Sequence, residues 1–391
     1  MKAIVFLGTQ FSGSSREALI AAKRLGYLVI LFTNRINHIK NRSSFSEITD
    51  MIFCNLDDFQ ELKVQIIKLH DKGIEVVAIV SFIDTYCYMA SLLAGEFGLK
   101  SFSTNAIFKM QNKMLSRLCL KNTPYVPWFK IVDSLGEIDY LEVKKRLPLV
   151  IKNPISTGSK DVYLVNTVEE FTSCMEILLS KHPHQVIVEQ YVQGPQYLIE
   201  TLVENSKVYI IAIIEQEVYI YNGHSIIIGY KLVHDLPKDM NSSLVKAIND
   251  IIKYHGMENG SCHLEMRYVN NSWKLIEINP RISGGAMNEL IRYGLGINLV
   301  EETLKLALKE EINITPRFQL FINVQYLICN IIGKVLKVTG RIEAQNSPGV
   351  ISVFIKPRRG QLIYPPVTMG NRYAYVIVSG LSEKEALFNA K

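Results

Sequence analysis

Residues 262–285 read CHLEMRYVNNSWKLIEINPRISGG, and this stretch decides the fold. Its two arms, 263–269 and 273–279, predict a β-hairpin whose side chains alternate between two faces. We expect one face to carry Glu265, Glu277, Asn279 and Arg281. The first three are candidate ligands for Mg²⁺, which prefers oxygen atoms, and the arginine can stabilise charge on a transferred phosphoryl group. The alternative interpretation is a surface hairpin whose charges are merely solvated.

The register of the hairpin depends on the length of its turn. A three-residue loop, residues 270–272, places Glu265 opposite Glu277. A two-residue loop pairs Glu265 with Ile276 instead, and Glu277 then faces the other side. We predict the three-residue loop, with an asparagine in the left-handed region that this residue tolerates.

Two further residues of the hairpin carry ionisable groups. His263 is assigned to the face opposite Glu265 and is interpreted as a packed core histidine. Arg267 is assigned to the metal face, where it is a candidate contact for a substrate carboxylate or phosphate.

A lysine and a small polar loop upstream of the hairpin have the chemistry of a phosphate site. The apolar run 149–152 predicts a strand that ends in Lys152, and residues 156–161 follow it as the loop. Glycine lets a backbone approach a phosphate, hydroxyl and N–H groups donate to it, and the lysine neutralises its charge. An ordinary hairpin turn after a strand-end lysine is an equally supported alternative.

Residues 186–197, VIVEQYVQGPQY, predict a strand followed by an extended segment. Such a segment can bind a purine through its backbone groups. A polar side chain, Glu189 or Gln196, can then take the purine amine or the ribose.

The chain divides into three predicted units. In residues 1–108, apolar strands alternate with helical spacing, which predicts a parallel, Rossmann-like α/β sheet. The first strand-to-helix turn, 8–14, offers N–H groups to an anion but lacks the dinucleotide fingerprint, and it is as well explained by serine caps. Residues 109–310 begin with one helix over 109–121 and then form an α+β unit. Residues 311–391 form a small β-rich unit that ends in a capped helix.

Length and composition agree with a multidomain globular protein. The chain has 391 residues, of which 48% are hydrophobic and 20% charged, so two or three domains are expected. The net charge of +6 suits small anionic substrates. Since no basic cluster is interleaved with aromatic residues, we expect no nucleic-acid partner.

The cysteines and the hydrophobic runs predict the cellular compartment of the protein. Six cysteines are scattered without a Cys-x-x-Cys pair, which is typical of reduced thiols in a cytoplasmic protein. The N-terminal run MKAIVFLGTQ is better explained as a first strand than as a signal peptide. No apolar run reaches membrane-spanning length, so no membrane partner is expected.

In order and spacing, these pieces resemble the ATP-grasp superfamily over nearly the whole chain. The resemblance implies an ATP-grasp fold with an N-terminal pre-grasp domain and a small C-terminal domain like that of carboxylase-like members. It implies metal ligation by Glu265, Glu277 and Asn279. It implies nucleotide binding by Lys113, Lys152, Ser156, Thr157, Gly158, Ser159, Glu189, Gln190, Tyr191, Val192 and Gln196.

The chain departs from the pattern of the superfamily at three places. Asn112 stands before Lys113 where many members have aspartate. Gln196 stands where many have glutamate, which puts the ribose contact in doubt. The phosphate loop has one glycine where many members have several.

Within the superfamily, CHLEMR at 262–267 and NPRISGG at 279–285 look closest to the L-amino acid (dipeptide) ligases. That resemblance implies an ATP- and Mg²⁺-dependent carboxylate–amine ligase, with Mn²⁺ as an alternative metal. It implies small carboxylate and amine substrates and a homodimer. The implied catalytic residues are Arg281 and Lys152, and the implied substrate contacts are Arg267, Arg281, Ser283 and Gly284.

Two alternative functions stay open. One is a carboxylase-like or purine-pathway enzyme that uses the same ATP chemistry on another nucleophile. The other is a nucleotide-binding module without catalysis, against which the intact set of metal ligands and Arg281 argues. A nicotinamide-dependent oxidoreductase is less supported than either.

Overall fold

The structure is a computed structural model that describes residues 1–156, 161–181 and 185–391. Four residues of the predicted phosphate loop, 157–160, lie outside the described residues, and they include Thr157, Gly158 and Ser159 of the predicted nucleotide set. In the described part of the chain, no helix combines the length and the hydropathy that a bilayer span requires. Three short 3₁₀ turns connect larger elements, at Arg42–Ser44, Leu135–Glu137 and Met369–Asn371.

The N-terminal unit contains the predicted parallel sheet, with strand order β3-β2-β1-β4. Its elements are β1 (Lys2–Leu7), α1 (Ser14–Arg24), β2 (Leu28–Thr33), α2 (Ile36–Lys40), β3 (Asp50–Phe53), α3 (Phe59–Asp71), β4 (Glu75–Val80) and α4 (Asp84–Glu96). Helices cover the sheet, so β1 and β2 are almost wholly buried and apolar. The sequence does not predict β3, because its four residues are partly exposed at the sheet edge and form no long apolar run.

Two helices, α5 (Thr104–Gln111) and α6 (Lys113–Leu120), replace the single helix predicted over 109–121. The break lies at Asn112, which is extended, with φ −113° and ψ 110°. Its side chain accepts hydrogen bonds from the backbone N–H groups of Met114 and Leu115 at 2.9 and 3.2 Å. Asparagine is a strong N-cap, so it starts a new helix with Lys113 as the first residue.

A four-stranded antiparallel sheet follows, with strand order β5-β8-β6-β7. Its elements are β5 (Phe129–Val132), α7 (Tyr140–Arg146), β6 (Leu149–Lys152), β7 (Val162–Val165), α8 (Val168–Lys181) and β8 (Val186–Gln190). Lys152 is the last residue of β6, as predicted, and Glu189 lies near the end of β8. Because β6 and β8 are antiparallel, with Lys152 opposite Ile187 and Val150 opposite Glu189, the two side chains are diagonal neighbours on the sheet.

The third sheet has eight strands, in the order β13-β12-β9-β10-β11-β14-β18-β16. The elements of its first half are β9 (Gln196–Glu204), β10 (Lys207–Tyr221), β11 (His224–Val233), α9 (Lys238–His255), β12 (Gly260–Val269), β13 (Ser272–Asn279), α10 (Met287–Leu295) and α11 (Leu299–Leu308). A large hydrophobic core lies between this sheet, α10 and α11, and the N-terminal unit, where α1 packs on α11.

The remaining elements are β14 (Phe321–Leu327), β15 (Gly333–Lys334), α12 (Arg341–Gln345), β16 (Val350–Ile355), β17 (Leu362–Ile363), β18 (Ala374–Gly380) and α13 (Glu383–Ala390). The last helix has the predicted cap, since the Ser382 hydroxyl accepts from the Glu385 N–H at 3.2 Å. β14 pairs with β11, so residues 311–391 extend the central sheet without a break. The division into domains at 108 and 310 stays a proposal.

The hairpin has a different turn from the one predicted, yet the predicted pairing forms. Val269 pairs with Ser272, so the turn has two residues, and both Asn270 and Asn271 have positive φ, 49° and 57°. Asparagines at both turn positions suit a type I′ turn, which also matches the twist of the strands. A β-bulge then shifts the register between Glu265 and Met266, which brings Glu265 opposite Glu277.

Candidate active site

The candidate active site is a cleft between the two antiparallel sheets. The ends of β6 and β8 form one wall, and the β12–β13 hairpin forms the other. All eight described residues of the predicted nucleotide set line it: Lys113, Lys152, Ser156, Glu189, Gln190, Tyr191, Val192 and Gln196. Glu265, Arg267 and Glu277 of the hairpin line the same cleft. Residues chosen by order and spacing in the sequence therefore converge in space.

Two carboxylates crowd together at the base of the cleft. Burial and the charge of Glu277 raise the pKa of Glu265 to about 7. Lys113 supplies an opposing charge, with its Nζ 3.3 Å from Glu277 Oε1. Paired carboxylates with too little compensating charge fit a divalent cation. Among the described residues no three His, Cys, Asp or Glu side chains converge to hold a metal, and the third predicted ligand, Asn279, is an amide.

His263 lies on the metal face, so its predicted assignment to the opposite face is wrong. Residues two apart in a strand share a face, and His263 pairs with Asn279 across the hairpin. His263 Nδ1 lies 2.9 Å from the Arg281 carbonyl oxygen, which can only accept, so Nδ1 carries the proton. Burial, with the charge of Arg281, lowers the pKa of His263 to about 4 and keeps the ring neutral.

The neutral histidine orients the amide of Asn279. His263 Nε2 has no proton and accepts from Asn279 Nδ2 at 3.2 Å. The other end of the amide, Oδ1, is then turned away from the ring and is free to bind a cation. Such outer partners of a metal ligand fix its orientation and are worth about 10- to 100-fold in metal affinity.

We therefore expect His263→Leu to weaken Mn²⁺ binding by about 10- to 100-fold in the presence of ADP. Free Mn²⁺ can be measured directly by electron paramagnetic resonance. Asn279→Ala should weaken Mn²⁺ binding by a similar factor. The double variant should bind Mn²⁺ little more weakly than either single variant, because both changes disable the same ligand. Wild-type affinity in a folded His263→Leu variant would show that the ring has no such role.

Arg281 is held by an acidic residue of the N-terminal unit. Arg281 Nε donates to Asp84 Oδ1 at 2.6 Å, and a second guanidinium nitrogen donates to the other carboxylate oxygen. Burial opposes ionisation of Asp84, but the guanidinium outweighs burial and lowers the pKa of Asp84. Asp84 was not among the residues predicted from the sequence. Its position could have indicated a role, because it is the first residue of α4, just after β4, at the sheet edge where α/β proteins bind ligands.

A buried cluster of three charges organises the nucleotide wall. Glu189 Oε1 accepts from Arg117 Nε at 2.6 Å, and Glu189 Oε2 lies 2.5 Å from Lys152 Nζ. The Glu189 carboxylate is thus the counter-ion of two cations, and the purine or ribose contact predicted for it stays a prediction. Burial lowers the pKa of Lys152, and Glu189 offsets this in part. Arg117 was missed, although it lies four residues after Lys113 on the same helical face.

Arg267 and Gln196 bind each other and support the segment after β8. Arg267 Nε donates to Gln196 Oε1 at 2.9 Å, and another guanidinium nitrogen donates to the Val192 carbonyl oxygen. The guanidinium also lies 5.1 Å from the centre of the Tyr191 ring. Gln196 donates in turn to Gln216 at 2.9 Å. Both side chains line the cleft while they make these internal bonds, and the substrate contact of Arg267 and the ribose contact of Gln196 stay predictions.

Ser283 also has an internal partner, and its predicted substrate contact stays a prediction. Its backbone N–H donates to Glu200 Oε1 at 3.1 Å, and its hydroxyl donates to the same oxygen. Burial raises the pKa of Glu200 to about 7. Glu200 could have been singled out from the sequence, because it is an acidic residue inside an apolar strand. Gly284 is exposed beside this contact.

Comparisons with known proteins agree with this geometry. A model of the ATP-grasp domain matches residues 145–289, which include both walls of the cleft. Residues 145–289 form an ATP-grasp domain. A model of the L-amino acid ligase C-terminal domain 2 matches residues 325–391. Among curated relatives of this chain, the uncharacterized protein y4rH of Sinorhizobium fredii is 24% identical over 322 residues, which are 81% of this chain and 66% of that protein. The chain spans two thirds or less of the length of the curated relatives it matches.

Solved structures place the ATP-grasp fold over nearly the whole chain. The L-amino acid ligase from Bacillus licheniformis matches with a TM-score of 0.83 and 18% identity, covering 99% of this chain and 95% of that one. The N5-carboxyaminoimidazole synthetase from Staphylococcus aureus, complexed with ADP, matches with a TM-score of 0.75 and 14% identity, covering 100% and 97%. At these identities the likeness shows the fold, and it confirms the predicted fold class.

Proposed function

We propose that the protein is an ATP-dependent carboxylate–amine ligase that joins an amino acid to an amine and releases ADP and phosphate. The observation that carries the proposal is the register of the β12–β13 hairpin, which sets Glu265 opposite Glu277 in the cleft that also holds Lys113 and Lys152. The match of the C-terminal strands to an L-amino acid ligase domain supports amide formation among the reactions of the superfamily. The six cysteines, all free thiols, agree with a cytoplasmic location as part of the proposal.

The residues present fit a magnesium ion and the phosphates of ATP. Glu265, Glu277 and Asn279 would hold Mg²⁺, or Mn²⁺ in its place. When bound, the metal ion neutralises charge that develops on the phosphates. Lys113 and Lys152 supply two ammonium groups to the same cleft, and Lys152 exchanges Glu189 for a phosphate oxygen when the nucleotide enters.

The proposed reaction has two steps. An oxygen of the substrate carboxylate attacks the γ-phosphorus of ATP, the bond to ADP breaks, and an acyl phosphate forms. The amine nitrogen then attacks the acyl carbon, phosphate leaves with the bonding electron pair, and the nitrogen loses a proton. Arg281, fixed by Asp84, donates to the oxygen on which negative charge develops.

A second candidate function uses the same activation on bicarbonate. The likeness to N5-carboxyaminoimidazole synthetase, which covers the full chain, favours a carboxylase-like or purine-pathway enzyme as this alternative. Bicarbonate-dependent cleavage of ATP would distinguish it from the ligase.

The ligase is tested by ADP and phosphate release from ATP–Mg²⁺ across pooled amino acids and small carboxylic acids, with products weighed by mass spectrometry. We expect a product whose mass is the sum of two substrates minus water. Glu277→Gln should lower its formation by about two orders of magnitude or more, because the metal site supplies several kcal/mol. Glu176→Gln, an exposed position on α8, serves as the matched control. ATP binding without substrate-stimulated cleavage would favour a non-catalytic module.

A further inference from the structure

A second cavity, of about 270 Å³, lies where the N-terminal unit, α10 and the C-terminal strands meet. Its walls include Tyr326 and Tyr375, and its charged lining residues are Glu17, Glu289 and Arg372. Met369 lines both this cavity and the nucleotide cleft, so the two spaces adjoin. None of the predicted site residues explains the charges of this cavity.

Glu289 brings an unpaired carboxylate to the cavity. Its Oε2 atom is buried and has no hydrogen-bond partner among the described residues. The neighbouring acid, Glu17, differs because it accepts from the Asn288 amide. Burial, followed by the charge of Glu17, raises the pKa of Glu289, and the charge of Arg292 offsets this only in part. A buried polar atom without a partner is costly, and a ligand that supplies a donor removes that cost.

Arg372 brings an unpaired guanidinium to the same cavity. It stacks over Tyr326 at 4.0 Å from the ring centre and donates to the Ile227 carbonyl oxygen and the Tyr230 hydroxyl, both at 3.2 Å. In the described part of the chain Arg372 has no ion-pair partner, although the charge of Glu265 acts on it from the nucleotide cleft. The side of the cavity nearer the metal ligands is therefore positive, and the side at α10 is negative.

Resting on the proposed function, we propose that this cavity binds the acid substrate of the ligase as an amino acid zwitterion, with its ammonium group on Glu289 and its carboxylate near Arg372. One unpaired acid and one unpaired base in a single cavity match the two charges of such a ligand. Its carboxylate then faces the nucleotide cleft, where ATP would activate it. Glu289 thus selects acids that carry a free amino group, and the aromatic walls contact the substrate side chain.

The proposal is tested with isosteric pairs that differ in the amino group: L-alanine with L-lactate, and L-phenylalanine with L-3-phenyllactate. Wild-type protein should bind the amino acid of a pair about tenfold or more tightly than the hydroxy acid, by calorimetry with ADP–Mg²⁺ present. Glu289→Gln should weaken amino acid binding by about tenfold or more and leave hydroxy acid binding unchanged. Glu289→Asp keeps the charge and should retain the preference. Glu311→Gln, an exposed position outside the cavity, is the matched control.

Calorimetry needs no turnover, so it separates this inference from the ligase proposal. Amino acid binding that depends on Glu289 upholds the cavity assignment even if no ligated product is found. Equal binding of the two members of each pair, or unchanged binding in a folded Glu289→Gln variant, would overturn it. Where turnover is seen, KM for the amino acid acting as acid should rise in Glu289→Gln while KM for ATP stays constant. A rise in KM for the amine partner instead would also overturn the assignment.

Discussion

Arg281→Ala is expected to lower kcat by about two orders of magnitude while KM for ATP changes little. A preorganised donor to a developing oxyanion is worth about 3 kcal/mol, and it acts only in the transition state. The bidentate pair with Asp84 supplies the preorganisation, since it fixes the guanidinium before any substrate arrives. Steady-state kinetics at saturating acid and amine measures the two constants separately.

Two further variants sharpen this test. Arg281→Lys should not restore the rate, because an ammonium group cannot keep the two parallel bonds to Asp84. Asp84→Asn should lower kcat by an intermediate factor, because asparagine keeps the shape of the aspartate side chain but lacks the charge that holds the guanidinium. If kcat of Arg281→Ala stays at the wild-type value, or if KM for ATP rises as much as kcat falls, Arg281 does not have the proposed role.

Glu189→Ala is expected to destabilise the fold by about 3–5 kcal/mol. It leaves Arg117 and Lys152 buried without a counter-ion, and removal of one partner of a buried ion cluster typically costs this much. Glu142→Ala is the matched control, because it removes a partly exposed pair with Arg146 on α7 that is worth only about 0.3–0.5 kcal/mol. Urea unfolding followed by circular dichroism gives the shift in midpoint for each variant.

The pH dependence of the free energy of unfolding provides a second test of the buried cluster of Glu189, Arg117 and Lys152. Burial opposes ionisation of Glu189, but Arg117 and Lys152 outweigh burial and lower its pKa in the folded state. An acid with a depressed pKa stabilises the fold above its unfolded value, near 4.3, and loses that contribution as pH falls through the folded value. Wild-type protein should therefore lose stability below about pH 4.5 more steeply than Glu189→Gln. Equal slopes of stability against pH in the wild type and Glu189→Gln would contradict the role of Glu189 as counter-ion. A loss of unfolding free energy in Glu189→Ala no larger than in Glu142→Ala would also contradict it.

The periodic features of the sequence predicted the fold well. The alternation of apolar strands and helices predicted the parallel N-terminal sheet, and Lys152 is the last residue of its strand, as predicted. The pairing of Glu265 with Glu277 was also predicted, although by the wrong turn. A two-residue turn and a β-bulge compensate for each other, and a bulge leaves no mark in the alternation of side chains.

The partners of the site residues could not be predicted in the same way. Asp84 and Arg281 are 197 positions apart in the sequence, and no local spacing connects them. Glu189, Arg267, Gln196 and Ser283 all carry groups that a ligand could use, and the structure also joins them to Arg117, Val192, Gln216 and Glu200, which local spacing does not predict. Such pairs follow from packing between sheets, which depends on the whole chain. His263 is different, because the two-residue period alone places it beside Glu265.

In the proposed reaction a substrate carboxylate is phosphorylated before the amide forms. The fate of the carboxylate oxygens tests this step, with the acid substrate labelled in both oxygens by ¹⁸O and the released phosphate analysed by mass spectrometry. We expect one ¹⁸O atom in each inorganic phosphate and one in the amide product, because attack on the γ-phosphorus transfers one carboxylate oxygen. Unlabelled phosphate, with both ¹⁸O atoms retained in the acid or with label found in AMP, would contradict the proposed reaction.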